Sequence, residues 1–163
     1  MELRRCLGND GRHRPRGNRR LSWRAFDRRA DGIAAQLLRA GLGRHDKVAL
    51  YLYNTPEYLE SAFAAMKSGL VPVNTNYRYQ HDELHYLWDN VDAAAVIFDG
   101  EFIDTVDALR ARCPHVRLWL HVATGTSACP PWAVAYEVAV TSSRCASDCA
   151  ARARALWDCP RPR

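Results

Sequence analysis

Between Leu21 and His121 the apolar residues follow two alternating rhythms. Trp23, Phe26, Ala30, Ile33, Ala34, Leu37 and Leu38 recur at three- and four-residue steps, one stripe of an amphipathic helix. Ser22 is placed to cap its start, and Gly41 to close it as the residue beyond its end. Gly43 to Asp46 read as a polar loop. Val48 to Tyr53 is short, rich in strand formers and apolar on both faces, as a strand buried on both sides must be. Thr55 and Pro56 suit the N-cap and first-turn positions of a second helix. That helix is expected to turn Leu59, Ala62, Phe63 and Met66 inward and to end at Gly69.

The alternation continues. Val71 to Val73 is a brief strand that Pro72 places near a sheet edge. Asp82 and Glu83 open a helix where negative charge suits the dipole, and Leu84, Leu87, Trp88 and Val91 line it. Ala94 to Phe98 is a further buried strand, Phe102, Val106 and Leu109 mark a further helix, and Val116 to His121 a further strand. Strands alternating with helices predict βαβ units. The expected fold class is α/β: a partial Rossmann-like layered fold with a mainly parallel sheet flanked by helices.

Composition divides the 163 residues into three parts. Residues 1–20 carry seven arginines against Glu2 and Asp10, without period, and read as a loose basic segment. Residues 21–136 hold the alternating pattern and are slightly acidic. Residues 137–163 are aperiodic and rich in Ala, Arg and Cys, the composition expected of GC-rich DNA translated out of frame. The net charge of +5 therefore belongs to the two ends. No aromatic residue lies between Glu2 and Leu21 to stack on bases, so no nucleic-acid partner is expected. The longest purely apolar run, Ala93 to Phe98, is too short for a membrane span. The start shows no secretory pattern, which leads us to expect a cytoplasmic protein.

Candidate chemistry is sparse. His81 and His85 stand four apart in HDELH and could face one metal ion, yet Asp82 stands where the zinc-peptidase pattern needs Glu, and no third ligand is evident. Cys145, Cys149 and Cys159 match no common zinc spacing, and Cys6, Cys113 and Cys129 are scattered. Gly41 and Gly43 form a GxG that follows a helix rather than a strand, so the dinucleotide fingerprint fails. Glu57 and Glu60 are expected to form an exposed pair at the start of a helix. No catalytic, cofactor-binding or metal-binding residue is assigned.

Residues 21–136 taken together resemble the N-terminal part of the AMP-forming acyl-CoA synthetases, the adenylate-forming superfamily. LSWRAF (Leu21 to Phe26) is similar to that family's first core motif, and MKSGLVPVN (Met66 to Asn74) to its second. NYRYQHDELHYLWDN (Asn76 to Asn90) resembles a segment of fatty-acid–CoA ligases. The resemblance implies a ligase of fatty-acid metabolism. ATP and a carboxylate would give an acyl-adenylate and pyrophosphate, and coenzyme A would then displace AMP. It also implies Mg2+, a Thr- and Gly-rich triphosphate loop and a catalytic Lys on a mobile domain. No T-S-G-T-T-G-x-P-K-G string occurs in the sequence, so no family site residue carries over. The expectation is a truncated module, inactive and without cofactors of its own. It would associate with itself through uncovered sheet edges, or with a separately encoded remainder of the ligase.

Overall fold

The computed structural model describes residues 21–141. Helix α1 (Trp23–Arg39) begins at Ser22, whose Oγ accepts the Ala25 N–H at 3.2 Å. It ends where Gly41 takes φ +80°, which lets Gly41 N–H reach the Leu38 carbonyl and Leu42 N–H the Leu37 carbonyl. These two bonds form a Schellman closure. Helix α2 (Pro56–Lys67) closes the same way: Gly69 at φ +73° brings Leu70 N–H to the Ala65 carbonyl. Helix α3 (His81–Asn90) starts with Gln80 N–H donating to Glu83 Oε2 at 2.8 Å. Helix α4 (Ile103–Arg110) follows a 3-10 turn at Gly100–Phe102, and α5 spans Tyr136–Thr141. The last helix crosses the composition boundary expected at Glu137.

Strands β1 (Lys47–Tyr51), β2 (Val71–Asn74), β3 (Ala93–Asp99), β4 (Leu118–Val122) and β5 (Val134–Ala135) form one sheet in the order β2-β1-β3-β4-β5. Every pairing is parallel. As Pro72 indicates, β2 lies at an edge. All seven residues of β3 are buried, because helices cover both faces of the sheet. Alternation along the strands sorts the core. Val48, Leu50, Ala95 and Ile97 pack with Ala30, Ile33, Leu37, Ala64 and Ala65 beneath α1 and α2. Ala49, Tyr51, Val96 and Phe98 pack with Leu84, Trp88, Val106 and Leu109 beneath α3 and α4.

The structure corrects three expectations. The inward face of α2 is Glu60, Ser61, Ala64 and Ala65, whereas Leu59, Phe63 and Met66 are exposed. Small side chains let α2 approach α1 closely, and that geometry turns the longer apolar residues outward. Trp23 is likewise exposed rather than part of the buried stripe of α1. Glu60 is fully buried rather than one of an exposed pair, because Arg29 of α1 reaches it.

Candidate functional site

In a doubly wound sheet the crevice opens at the carboxyl ends of the strands where the strand order reverses. Here that point lies between β1 and β3. Tyr53 and Thr55 follow β1, while Asp99 ends β3 and Glu101 follows it in the 3-10 turn. Thr124 and Ser127 lie beyond β4.

Asp99 is almost completely buried, and Oδ1 accepts both the Glu101 N–H at 3.1 Å and the Thr124 hydroxyl. It caps the turn and ties down the loop after β4. Ser127 Oγ accepts the Thr124 N–H at 2.9 Å and lies 3.5 Å from His121 Nε2. Burial lowers the His121 pKa despite the nearby Asp99 charge, so the imidazole is neutral at pH 7. A side chain at Gly100 would meet Ser127 Oγ and His121 Nε2, so a substitution there requires those side chains to shift.

The β1 side is aromatic. Tyr53 donates to Glu101 Oε2 at 3.1 Å and packs against Tyr77 and Phe102 with ring centroids 5.0 and 5.1 Å away. Tyr51 stacks on Phe102 at 4.2 Å. The Tyr53 hydroxyl is pushed up to about 12, first by burial and then by the Glu101 charge. The crevice is thus lined by carboxylates and rings that bind one another. Asp99 and Glu101 are already engaged, by the Thr124 and Tyr53 hydroxyls respectively. Among the described residues no group of three or more His, Cys, Asp or Glu could hold a metal ion.

A second polar cluster joins three helices. Arg29 Nε donates to Glu60 Oε1 at 2.7 Å, and its two terminal nitrogens grip the Glu137 carboxylate at 2.9 and 2.7 Å. Tyr136 donates to Glu60 Oε2 at 3.2 Å and also contacts Ser61 Oγ at 3.2 Å. The Glu137 hydrogen bonds hold the Arg29 guanidinium charged against its burial, with help from Glu60. Burial, and then the Glu60 charge, raise the Tyr136 hydroxyl well above its ordinary value. This cluster pins α5 to α1 and α2.

The residues singled out in the sequence do not converge. His81 is exposed and His85 half-buried, both on the first turns of α3. Gly41 serves helix closure, and Gly43 donates its N–H to Asp46 Oδ2 at 2.9 Å. Cys113 is buried and Cys129 exposed, both as free thiols. Burial raises each thiol above its usual range. Cys6, Cys145, Cys149 and Cys159 lie outside the described residues. Sequence reasoning missed Asp99, Glu101 and Thr124. Their one available signal was position, at the carboxyl ends of the expected strands.

Fold and crevice together define a doubly wound α/β domain of the 2-1-3-4-5 type. Residues 5–150 match the AMP-binding enzyme family, and the chain belongs to it. It is 34% identical over 110 residues to the medium/long-chain-fatty-acid–CoA/3-oxocholest-4-en-26-oate–CoA ligase of Mycobacterium tuberculosis (strain CDC 1551 / Oshkosh), covering 68% of this chain and 20% of that protein. It is 32% identical over 121 residues to the 3-oxocholest-4-en-26-oate–CoA ligase of Rhodococcus rhodochrous, covering 74% of this chain and 20% of that one. The crystal structure of an anthranilate CoA ligase in complex with anthranoyl-AMP superposes with a TM-score of 0.71 at 18% identity, over 76% of this chain and 23% of that one, and shares the fold. The chain therefore spans about a fifth of the length of these curated relatives.

Proposed function

We propose that this chain forms the N-terminal module of an AMP-forming fatty-acid–CoA ligase and supplies scaffold rather than catalytic groups. In the whole ligase, ATP and a fatty acid give an acyl-adenylate and pyrophosphate, and coenzyme A then displaces AMP to form the thioester. The observation that carries the reading is the family match over residues 5–150, which contains the whole of the five-stranded parallel sheet. Further support comes from the crevice, where Asp99, Tyr53 and Thr124 are engaged in holding loops. ATP, Mg2+ and coenzyme A belong on this reading to the remainder of the ligase.

We place the protein in the cytoplasm. Two free thiols among the described residues suit a reducing compartment, and no helix among those residues is long and apolar enough to cross a membrane. The functional test is ATP–pyrophosphate exchange with medium- and long-chain fatty acids on the purified chain. The expected result is exchange at background. Exchange that rises with protein concentration and fatty acid would overturn the scaffold assignment.

A further inference from the structure

His121 is a buried titratable side chain, 1% exposed, that the scaffold reading does not use. Phe98 of β3 and Ala135 of β5 flank it across the sheet, with the Phe98 ring 5.6 Å away. Gly100 of the 3-10 turn stands so close that a Cβ there would lie 2.9 Å from Nε2. From the loop beyond β4, Ser127 Oγ stands 3.5 Å from the same nitrogen. Asp99 is the charged group that acts on the ring, and its Oδ1 already accepts the Thr124 hydroxyl and the Glu101 N–H. Covering this arrangement is the Thr124–Ser127 turn. It is closed by the Ser127 N–H on the Thr124 carbonyl at 3.0 Å and by the Thr124 N–H on Ser127 Oγ at 2.9 Å. Two side-chain contacts tie it to the body, Thr124 on Asp99 and Ser127 on His121. Ala123, Gly125, Thr126 and Ala128 are exposed, and Gly125 takes φ +56°. The far end of the loop is anchored separately, by Trp132 stacked on Phe98 and covered by Arg110. The turn can therefore lift while β5 stays paired.

A neutral imidazole suits this enclosure and an imidazolium does not. Ser127 Oγ can donate to a bare Nε2 while it accepts the Thr124 N–H, whereas a protonated Nε2 offers that hydroxyl no acceptor. Burial opposes the charged ring more than the Asp99 carboxylate favours it, so the ring takes up a proton less readily covered than wet. A conformation that wets the ring is then favoured as pH falls. Opening a half-exposed turn disturbs far fewer buried contacts than unpairing β4 from β3, so the turn moves first. We propose that His121 and Ser127 form a proton-operated latch on the loop beyond β4. The Thr124–Ser127 turn is closed over the neutral imidazole and lifts from the imidazolium. Lifting frees the Thr124 hydroxyl from Asp99 and uncovers the carboxyl end of β3. The latch is independent of the functional reading above.

The experiment is amide hydrogen exchange of the full 163-residue chain from neutral to mildly acid pH, corrected for the intrinsic pH dependence of exchange. It is paired with an NMR titration of the His121 ring. Residues 123–128 should lose protection by about tenfold per pH unit below 6.5, levelling off at the midpoint of the ring's own titration. Protection in β3 should not change over the same range. His121→Asn keeps a polar partner for Ser127 but takes up no proton, and should abolish the pH dependence. Ser127→Ala should raise exchange of residues 123–128 at least threefold at neutral pH, with β3 protection showing that the chain is still folded. Corrected exchange of residues 123–128 that ignores pH overturns the proposal, and so does a response that survives His121→Asn. Loss of protection that runs equally through β3 overturns it too, because the acid event is then global unfolding. If His121→Asn does not fold, the unmodified chain decides: an exchange response that levels off away from the ring's titration midpoint removes the latch.

Discussion

Helices α1, α2 and α5 meet the sheet through many small residues, Ala30, Ala34, Ala64, Ala65 and Ala139, beside Ile33 and Leu37, whereas α3 and α4 meet it through Leu84, Trp88, Val106 and Leu109. On the first side small residues allow close approach. A backbone contact between Gly32 and Val140 and a buried ion pair between Arg29 and Glu60 then hold the helices. On the second side rings fill the volume: Trp88 lies 6.0 Å from Tyr51 and 5.9 Å from Trp119, and Trp132 stacks on Phe98 at 5.6 Å. The difference shows in what each layer leaves outside. Where α2 turns mostly small side chains inward, its large apolar ones face outward. Where rings occupy the interior, the surface is mostly polar.

This contrast should break first at Trp88. It is fully buried, and Trp88→Ala leaves a cavity that the neighbouring rings cannot close, so a loss of about 3–5 kcal/mol is expected in urea unfolding. A loss under about 1 kcal/mol would mean that the aromatic layer is loosely packed. On the opposite layer Glu60→Ala should cost about 3 kcal/mol, the low end for a broken buried pair, because Arg29 keeps Glu137. Replacing Arg29 by Met together with Glu60 by Leu should recover much of that loss. If the double variant is worse than the single, the pair is a net stabiliser and the contrast between the layers sharpens.

A smaller effect is expected from pH. The folded His121 pKa lies below its ordinary value of 6.5, so the unfolded chain binds the extra proton more readily. Stability is full above pH 6.5 and falls as pH drops through the folded value. His121→Asn should flatten that slope, and an unchanged slope would assign it to other groups. The smallest effect belongs to the exposed apolar residues of α2. Met66→Lys, at a half-exposed residue, should change the stability of the isolated chain by no more than about 0.5 kcal/mol, whatever it does to association. A thermal melt distinguishes the two.

Much of the architecture was legible because local rules and tertiary packing agree. Ser22, Gly41, Thr55, Pro56 and Gly69 mark helix ends, and the runs around Val48 and Ala95 are apolar on both faces, as strands under two helix layers must be. The face of α2 was not legible. Apolar content pointed to Leu59, Phe63 and Met66, but Glu60 is buried only because Arg29, thirty-one residues earlier, neutralises it. No local pattern carries that information. β5 escaped notice because two residues make no period. The crevice residues were hidden for a similar reason: Asp99 and Thr124 lie twenty-five residues apart and meet only once β3 and β4 are paired.

The parallel pairing also sets a timetable for synthesis. Val48 pairs on one side with Pro72 and on the other with Ala95. As the chain leaves the ribosome, the first partner available to β1 is therefore the edge strand, and the central partner comes only after α3 has emerged. At roughly 5–20 residues per second, the interval between completion of β1 and of β3 lasts roughly 2–10 s. Collapse is complete within about 100 μs. Throughout that interval one flank of a strand built for burial stands open, and a nascent chain in a crowded polysome is at its most vulnerable to a neighbour.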